Sequence, residues 1–212
     1  MKKSAPQWEK DGFVMRLAEP KDALVYYQQN FCPLDKEVAR FTGCKTEFTQ
    51  EEVVGFFLQC MEADDRYDFL LISPEGQIVG ESVLNEIDWK TRCANFRICI
   101  FQPEARGKGF GYWMTYVTRD FAFETLNLNR VELDVFSFNI RAQRTYIAAG
   151  FRKEGVRRQA ILDGDTYGDD ILMAILKSEW EKSRKGESYV SNHTTGRSLV
   201  TGRYKDESRS MG

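Results

Sequence analysis

The sequence predicts an α/β layer fold in one domain, with a mixed, mostly antiparallel sheet and helices on both faces. Three observations carry this prediction. A Ser-Pro-Glu-Gly turn at residues 73–76 joins two strands into a hairpin. Between residues 96 and 135, a strand runs into a glycine-rich turn, a helix and a second strand, which together form a β-α-β unit. An Asp-Gly-Asp turn at residues 163–165 joins the last two strands.

Each element follows from its apolar periodicity and its end signals. Strands are predicted where apolar residues alternate or form short runs, at residues 13–18, 68–72, 77–84, 96–101, 131–135, 151–162 and 171–176. Helices are predicted where apolar residues recur every three or four positions, at residues 20–30, 53–61, 112–126 and 140–149. Pro20 suits a first helical turn, Thr49 and Glu52 form a capping box, and Asn139 can cap the last helix.

Length and composition limit the class of protein. The 212 residues suit one domain with a tail, and 42% hydrophobic residues are enough for a core. The domain is predicted to cover residues 1–182, and the polar residues 183–212 are predicted to form a flexible tail outside the fold. The net charge of -2 argues against a protein that binds nucleic acid without regard to sequence.

The chain is predicted to be cytoplasmic. No stretch of about 18 apolar residues occurs, so no membrane span is predicted. Residues 1–11 are polar and lack the apolar segment of a secretion signal. The five cysteines contain no Cys-x-x-Cys pair, which favours reduced thiols over disulfides or a zinc site, and no metal is predicted.

The single histidine limits the chemistry. His193 lies in the predicted tail, so a Ser-His-Asp or Cys-His arrangement is not expected in the domain. Catalysis by the domain must therefore use carboxylates, Tyr, Cys, Ser or backbone groups.

The turn at residues 106–111 predicts an anion site. Its glycines, Gly107, Gly109 and Gly111, leave backbone N–H groups uncovered at the start of a helix, and such a cradle suits a diphosphate. Arg106 and Lys108 could add positive charge at its rim. The glycine spacing matches neither the dinucleotide fingerprint nor the Walker loop, which argues against NAD and ATP.

Three segments carry a resemblance to one family. Residues 101–111 resemble the acetyl-CoA signature of the GNAT acetyltransferase superfamily, Arg/Gln-x-x-Gly-x-Gly/Ala. Residues 139–151 resemble the second motif of that family, Asn…Tyr-x-x-x-Gly-Phe. Residues 163–180 resemble the ending of the ribosomal-protein alanine N-acetyltransferases and spermidine N-acetyltransferases. The resemblance covers roughly residues 13–181.

The resemblance implies acetyl-CoA as co-substrate, bound by the central β-α-β unit. A bulge would splay the strand before the turn from its neighbour, and pantetheine would lie in the gap. Asn139 would bond the pantetheine or the acetyl end, and Arg144, with Arg141, could reach the 3′-phosphate. Backbone groups would hold the rest of the cofactor, the pantetheine at Cys99, Ile100 and Phe101, and the diphosphate at Arg106, Gly107, Lys108, Gly109, Phe110 and Gly111.

The resemblance also assigns a general acid, whereas the base is open. Tyr146 matches the phenol that protonates the departing thiolate, and the ordinary pKa values of a phenol, about 10, and a thiol, about 8.5, allow that transfer. Asn95 stands where many relatives carry a Glu. Glu81 is the best substitute for the missing base, followed by Glu86 and Asp134; deprotonation through ordered water is the other route.

The predicted function is transfer of acetyl from acetyl-CoA to a primary amine by direct attack in a ternary complex. A protein N-terminus, a polyamine and another small amine are all open as acceptors. N-terminal aromatic residues could line the acceptor pocket, namely Tyr26, Tyr27, Phe31, Phe56 and Phe57. The alternative is a catalytically silent acyl-CoA-binding regulatory module, which the missing strand Glu favours. A homodimer is common for such folds.

Overall fold

The computed structural model describes the backbone of residues 5–191 and the side chains of residues 5–184. Within that range the strands are β1 Trp8–Lys10, β2 Phe13–Leu17, β3 Tyr67–Ile72, β4 Ile78–Asp88, β5 Cys93–Ile100, β6 Arg130–Phe136, β7 Arg152–Asp163 and β8 Thr166–Leu176. The helices are α1 Ala23–Asn30, α2 Lys36–Thr42, α3 Gln50–Glu62, α4 Phe110–Glu124, α5 Ile140–Ala148 and α6 Lys177–Ser191.

The described strands form one sheet in the order β1-β2-β3-β4-β5-β6-β8-β7. Every neighbouring pair is antiparallel except β5 and β6, which run parallel because α4 carries the chain across. The mixed, mostly antiparallel sheet and the central β-α-β unit are therefore confirmed. None of the described helices is both long and apolar enough to cross a membrane.

Alternate residues of the central strands build two separate cores. On β3, Phe69 and Leu71 belong to the cluster that α4 covers, whereas Leu70 belongs to the cluster under α1 and α3. This alternation is what a strand buried on both faces requires. Helices therefore cover both faces, as predicted, and side chains of opposite parity on one strand belong to different layers.

Most capping signals lie where the sequence places them. Thr49 and Glu52 form the predicted capping box, with the Glu52 N–H donating to Thr49 Oγ1 at 3.2 Å. The Asn139 side chain accepts from the Ala142 N–H at 3.2 Å and so caps α5. These local bonds satisfy N–H groups that a helix cannot pair internally.

Three elements were not predicted, namely β1, α2 and α6. The helix α2 spans seven residues and buries only Val38 and Ala39, too few for an apolar period to show. Asp35 caps it by accepting from the Val38 N–H at 3.0 Å. The strand β1 has three residues and is held by pairing with β2.

The helix α6 crosses the predicted boundary between residues 182 and 183. Trp180 anchors it, being 7% exposed, with its ring centroid 5.4 Å from that of Phe123. The Trp180 indole N–H donates to Asp120 at 2.7 Å. One aromatic residue in a charged segment gives no helical period, so the sequence alone did not indicate this helix. Residues 192–212 of the predicted tail, with His193, lie outside the described residues.

Trp180→Ala is expected to lower the free energy of unfolding by about 3 kcal/mol, because it empties a buried aromatic site and leaves Asp120 without this donor. Urea unfolding followed by circular dichroism measures the change. Glu181→Ala, on the exposed side of the same helix, is the matched control and should change stability by less than about 0.5 kcal/mol. Equal effects of the two substitutions would show that α6 does not dock through Trp180.

Candidate active site

The parallel strands β5 and β6 separate after three residue pairs. They are in register from Cys93 and Arg130 to Asn95 and Glu132, and no pairing continues beyond Asn95. A cavity of about 550 Å³ lies along the opening. Its wall is built from β4, β5, β6, α2, α5 and the glycine turn. The splayed strands expected from the family resemblance are therefore present, although the opening results from lost pairing after Asn95.

The backbone of β5 offers hydrogen-bonding groups to this gap. The Phe101 N–H donates to the Val79 carbonyl on β4 at 2.9 Å. Because alternate residues of a strand direct their backbone groups to opposite edges, Phe96, Ile98 and Ile100 direct theirs towards β6. Phe96 closes the last pair with β6, at Asn95 and Glu132. Ile98 and Ile100 lie beyond that pair, so their N–H groups face the cavity, where an extended chain of amides could pair with them.

The alternating direction of the backbone groups along β5 corrects the predicted pantetheine contacts. Phe101 uses its N–H on β4, and its carbonyl accepts from Arg106 Nη2 at 2.8 Å, so the predicted backbone contact is wrong. Cys99 stands opposite Glu81 in the β4 ladder, so its backbone also faces β4, whereas its thiol lines the cavity. Of the three predicted residues, only Ile100 directs its backbone N–H towards the gap. The N–H of Ile98 also faces the gap, although Ile98 was not predicted.

Arg106 has a different role from the predicted one, which was to bind the diphosphate through its backbone N–H. Its N–H donates to the Pro103 carbonyl at 3.0 Å, so it is not available to a diphosphate. Its guanidinium donates to the carbonyls of Ile100, at 3.1 Å, and Phe101, at 2.8 Å. Arg106 thus holds the end of β5, and the phosphate cradle narrows to residues 107–111.

The Arg106 guanidinium also binds α2, the helix that was not predicted. It contacts Asp35 at 2.7 Å and Glu37 at 3.0 Å. The other carboxylate oxygen of Glu37 contacts Arg141 of α5 at 2.6 Å. These ion pairs hold α2 against the cavity, where Val38 and other α2 residues form part of the wall. The positive charge of Arg106 is therefore compensated within the chain.

The glycine turn has the geometry of an anion cradle. Gly107 and Gly109 adopt φ values of 75° and 80°, a region that favours glycine. The first bond of α4 runs from the Trp113 N–H to the Gly109 carbonyl at 3.0 Å, so the helix does not use the N–H groups of Phe110 and Gly111. The Lys108 side chain is exposed and does not line the cavity.

Gly111 indicates that this cradle is shaped for a ligand. It lies in the first turn of α4, it lines the cavity, and a Cβ there would meet no protein atom within 4 Å. Neither its φ nor the packing of the chain requires glycine, although glycine weakens a helix. The space that a Cβ would fill opens on the cavity, so the residues present fit a diphosphate there.

The helix α5 presents one face to the cavity. Asn139, Ala142, Thr145 and Tyr146 lie on it at helical spacing, and Arg141 borders it. Arg144 is exposed and stands outside the cavity wall, and its contact with the 3′-phosphate stays a prediction. The Oδ1 of Asn139 is used as the helix cap, which leaves its amide N–H₂ as the donor towards the cavity.

Tyr146 reaches the cavity from a buried position. Its ring is 6% exposed and lies against Phe96, with centroids 6.2 Å apart, and Phe151, at 6.0 Å. Burial raises the pKa of the Tyr146 phenol, and the nearby Cys99 and Asp134 act in the same direction. The hydroxyl makes no hydrogen bond with the described side chains. A neutral phenol that faces the gap without a protein partner can donate a proton there.

Glu81 enters the same cavity from the other layer of the sheet. Its Oε2 accepts from the Tyr26 hydroxyl at 2.6 Å. Burial raises the pKa of Tyr26 well above its ordinary value, and the adjacent Glu81 charge adds to this, so the phenol stays a donor. The contact joins residues 55 positions apart, and no sequence pattern indicates it. Of the other candidate bases, Asp134 lines the cavity and Glu86 is exposed outside it.

The family is shown by comparison with known sequences. The acetyltransferase (GNAT) domain profile matches residues 13–152. The uncharacterized N-acetyltransferase YokL, derived from the SPbeta prophage of Bacillus subtilis (strain 168), is 26% identical over 82% of this chain and 95% of its own length. The spermidine N(1)-acetyltransferase of Vibrio cholerae serotype O1 is 32% identical over 53% of this chain and 64% of its own length.

Solved structures share the fold. Spermidine N-acetyltransferase from Vibrio cholerae, in complex with CoA and spermine, superimposes with a TM-score of 0.72 over 81% of this chain and 99% of that one, at 24% identity. Ribosomal-protein-S5-alanine acetyltransferase from Vibrio fischeri gives 0.72 over 83% and 99%, at 22% identity. The fold and the splayed-strand site thus define a GNAT-type acyltransferase. The chain belongs to the GNAT acetyltransferase family and is an acetyl-CoA-dependent N-acetyltransferase.

Gly111→Ala is expected to weaken CoA binding about tenfold or more, because the new methyl group fills the phosphate cradle. Stability should be unchanged or higher by up to ~1 kcal/mol, since alanine is the better helix former. Calorimetric titration with CoA and urea unfolding measure the two quantities.

Gly55→Ala is the matched control, because Gly55 is also helical and a Cβ there also meets nothing within 4 Å. It should gain the same stability and keep wild-type affinity. Wild-type affinity in Gly111→Ala would show that the cradle does not hold the diphosphate.

Proposed function

We propose that this protein transfers acetyl from acetyl-CoA to a primary amine by direct attack within a ternary complex. One observation carries the proposal. The gap between β5 and β6 opens a passage through the sheet, so that Tyr146 from the α5 side and Glu81 from the α1 side border one cavity. An acid and a base on opposite sides of one acyl group are what aminolysis of a thioester needs.

The co-substrate site would use backbone groups for most of its contacts. Residues 107–111 would bind the diphosphate, and the β5 N–H groups at Ile98 and Ile100 would pair with the pantetheine amides. Asn139 would donate from its side-chain amide. One of these β5 N–H groups would also stabilise the charge that develops on the thioester oxygen. These groups are held by the fold before any ligand binds, so little reorganisation is needed.

Tyr146 would act as general acid. When the C–N bond forms and the C–S bond breaks, the sulfur takes the proton of the Tyr146 hydroxyl. Burial keeps this phenol protonated through the neutral and mildly alkaline range. As the amide forms, its nitrogen releases a second proton to the water that reaches the cavity, and the phenolate regains a proton from that water.

Glu81 would act as general base, accepting a proton from the ammonium directly or through one water molecule. Tyr26 donates to Oε2 and thereby fixes the carboxylate, which turns the other oxygen, Oε1, towards the acceptor. The phenol would act as a positioning residue, since it touches Glu81 and not the reacting atoms.

The assembly and location predicted from sequence remain proposals. A spermidine N-acetyltransferase of Vibrio cholerae has been solved as a dodecamer, which supports homo-oligomer formation, and the smallest such assembly is the predicted homodimer. The cytoplasmic location also remains a prediction.

Two measurements test the proposal. Calorimetry should show acetyl-CoA binding, and acetyl transfer should be found in a panel of polyamines, peptides with free N-termini and amino acids. Absence of binding would refute the co-substrate site. Binding without transfer to any amine would support the silent module instead.

Tyr146→Phe is expected to lower kcat by about one order of magnitude or more, with little change in CoA affinity, because only the proton donor is lost. Since burial holds the pKa of the phenol above its ordinary value, the loss should be equal at about pH 7 and about pH 9. Steady-state kinetics at both pH values check this. Unchanged kcat would assign Tyr146 to packing alone.

Glu81→Gln and Tyr26→Phe are expected to be strongly non-additive. Each single substitution should lower kcat, by about tenfold or more for Glu81→Gln. Tyr26→Phe should have no further effect once Glu81 is Gln, because the phenol acts only through that carboxylate.

Tyr27→Phe, which alters the adjacent tyrosine outside the cavity wall, should leave kcat unchanged. Additive losses from Glu81→Gln and Tyr26→Phe would contradict the positioning role, since a phenol that merely supports packing would lower kcat equally in both backgrounds.

A further inference from the structure

Four of the six charged side chains in the described cavity wall are neutralised by neighbours. Arg106 is paired with Asp35 and Glu37, and Arg141 is paired with Glu37. Asp134 lies 3.7 Å from the Arg157 guanidinium. These groups therefore carry little net charge towards a ligand.

Arg97 is the exception among the arginines of the described cavity wall. It lines the cavity from β5 and is exposed to it, and it forms no ion pair or hydrogen bond with residues 5–184. A guanidinium left unpaired in a wall where the other two are paired within 3.0 Å is available to a ligand.

Arg97 and Glu81 are diagonal neighbours on one face of the sheet. In the β4–β5 ladder Glu81 stands opposite Cys99, and Val83 stands opposite Arg97. Diagonal side chains of this kind lie about 7–8 Å apart. The charges are nevertheless not paired with each other, since Glu81 instead accepts from Tyr26. A free cation and a carboxylate with a free oxygen thus stand as neighbours in the wall of one cavity.

The charge of Arg97 also acts on the bond between Tyr26 and Glu81. Burial raises the pKa of the Tyr26 phenol, and the charge of Arg97 opposes that rise. Arg97 therefore lies close enough to the Tyr26–Glu81 bond to influence it. The guanidinium acts on the acceptor side of the sheet, the side that also carries Glu81.

We propose that the acceptor is a small amino acid, with its amine directed to Glu81 and its carboxylate bound by Arg97. This inference rests on the proposed acetyl transfer and names its substrate class. A guanidinium binds a carboxylate by two parallel hydrogen bonds, which fixes the orientation of the acceptor. The same positive charge disfavours a diamine, because a second ammonium group would face Arg97.

Arg97 has a specificity role and takes no part in proton transfer. In acetylation the nitrogen bonds the acetyl carbon and the C–S bond breaks. The ammonium loses two protons, one to Glu81 and one that balances the proton taken by the sulfur. The carboxylate of the acceptor is unchanged and remains on Arg97. Its contribution is to hold the amine near the acetyl group, where it reduces the entropy lost on reaction.

The test begins with matched acceptors. Kinetics with 4-aminobutyrate, butylamine and 1,4-diaminobutane compare a carboxylate, a methyl group and an ammonium at the same position. A set of free α-amino acids then finds the best acceptor. Wild-type protein should have a kcat/KM about tenfold or more higher for carboxylated acceptors than for their matched amines. A preference for the diamine or for butylamine would overturn the proposal.

Substitution of Arg97 is the second part of this test. Arg97→Gln should lower kcat/KM for the best amino acid about tenfold, mainly through KM, and should leave butylamine unchanged. Arg97→Glu should reverse the preference, favouring 1,4-diaminobutane. Arg158→Gln, on an exposed arginine outside the cavity wall, should match wild type. Equal losses for all acceptors in Arg97→Gln would overturn the proposal by showing a structural role.

Equilibrium binding separates this inference from the proposed function. Amino-acid binding to the protein with CoA is measured by calorimetry for wild type and Arg97→Gln. Binding that depends on Arg97, without acetyl transfer to any amine, would refute the transferase proposal and uphold the carboxylate site. Transfer to amines with no dependence on Arg97 in either assay would uphold the transferase proposal and refute the carboxylate site.

Discussion

The active site depends on the bonds made by the Arg106 guanidinium, which fix the end of β5 and the position of α2. Its side chain is 11% exposed and contacts two carbonyls at the end of β5 and two carboxylates of the α2 segment. A buried guanidinium is tolerated only where its donors and charge are satisfied, and here the carbonyls and carboxylates do both. The consequence is that β5 ends in a fixed place, apart from β6, with α2 held beside the opening.

The separation of β5 from β6 brings together groups that a continuous sheet would keep apart. Tyr146 belongs to the core cluster under α4 and α5, whereas Tyr26, which holds Glu81, belongs to the cluster under α1 and α3. In a sheet without such a gap, side chains from the two layers cannot line one cavity, because the paired backbone lies between them. Once the pairing stops after Asn95, one cavity reaches both layers. The gap also leaves N–H groups of β5 without a strand partner, which suits an extended amide ligand.

Much of the fold follows from local patterns, and the exceptions have physical causes. The strands β2 to β8, the capping box at Thr49 and the Asn139 cap were predictable because each depends on a few adjacent residues. The helices α2 and α6 were not, since α2 is held by ion pairs with Arg106 and Arg141, and α6 docks through Trp180 and through contacts such as the ion pair of Glu179 with Arg152. Contacts of this kind join distant segments and leave no period in the sequence.

The sequence by itself determined the cofactor region, because glycines that free backbone N–H groups at a helix start act within one turn of chain. Only the tertiary structure decided which neighbouring groups the site can use. Strand parity turned the backbone of Phe101 away from the gap, and the carboxylates of α2 neutralised Arg106. It also decided that Arg97 has no partner among the described residues, whereas Glu81 is held by Tyr26. These outcomes depend on register and on long-range packing, which place side chains from six different elements around one cavity.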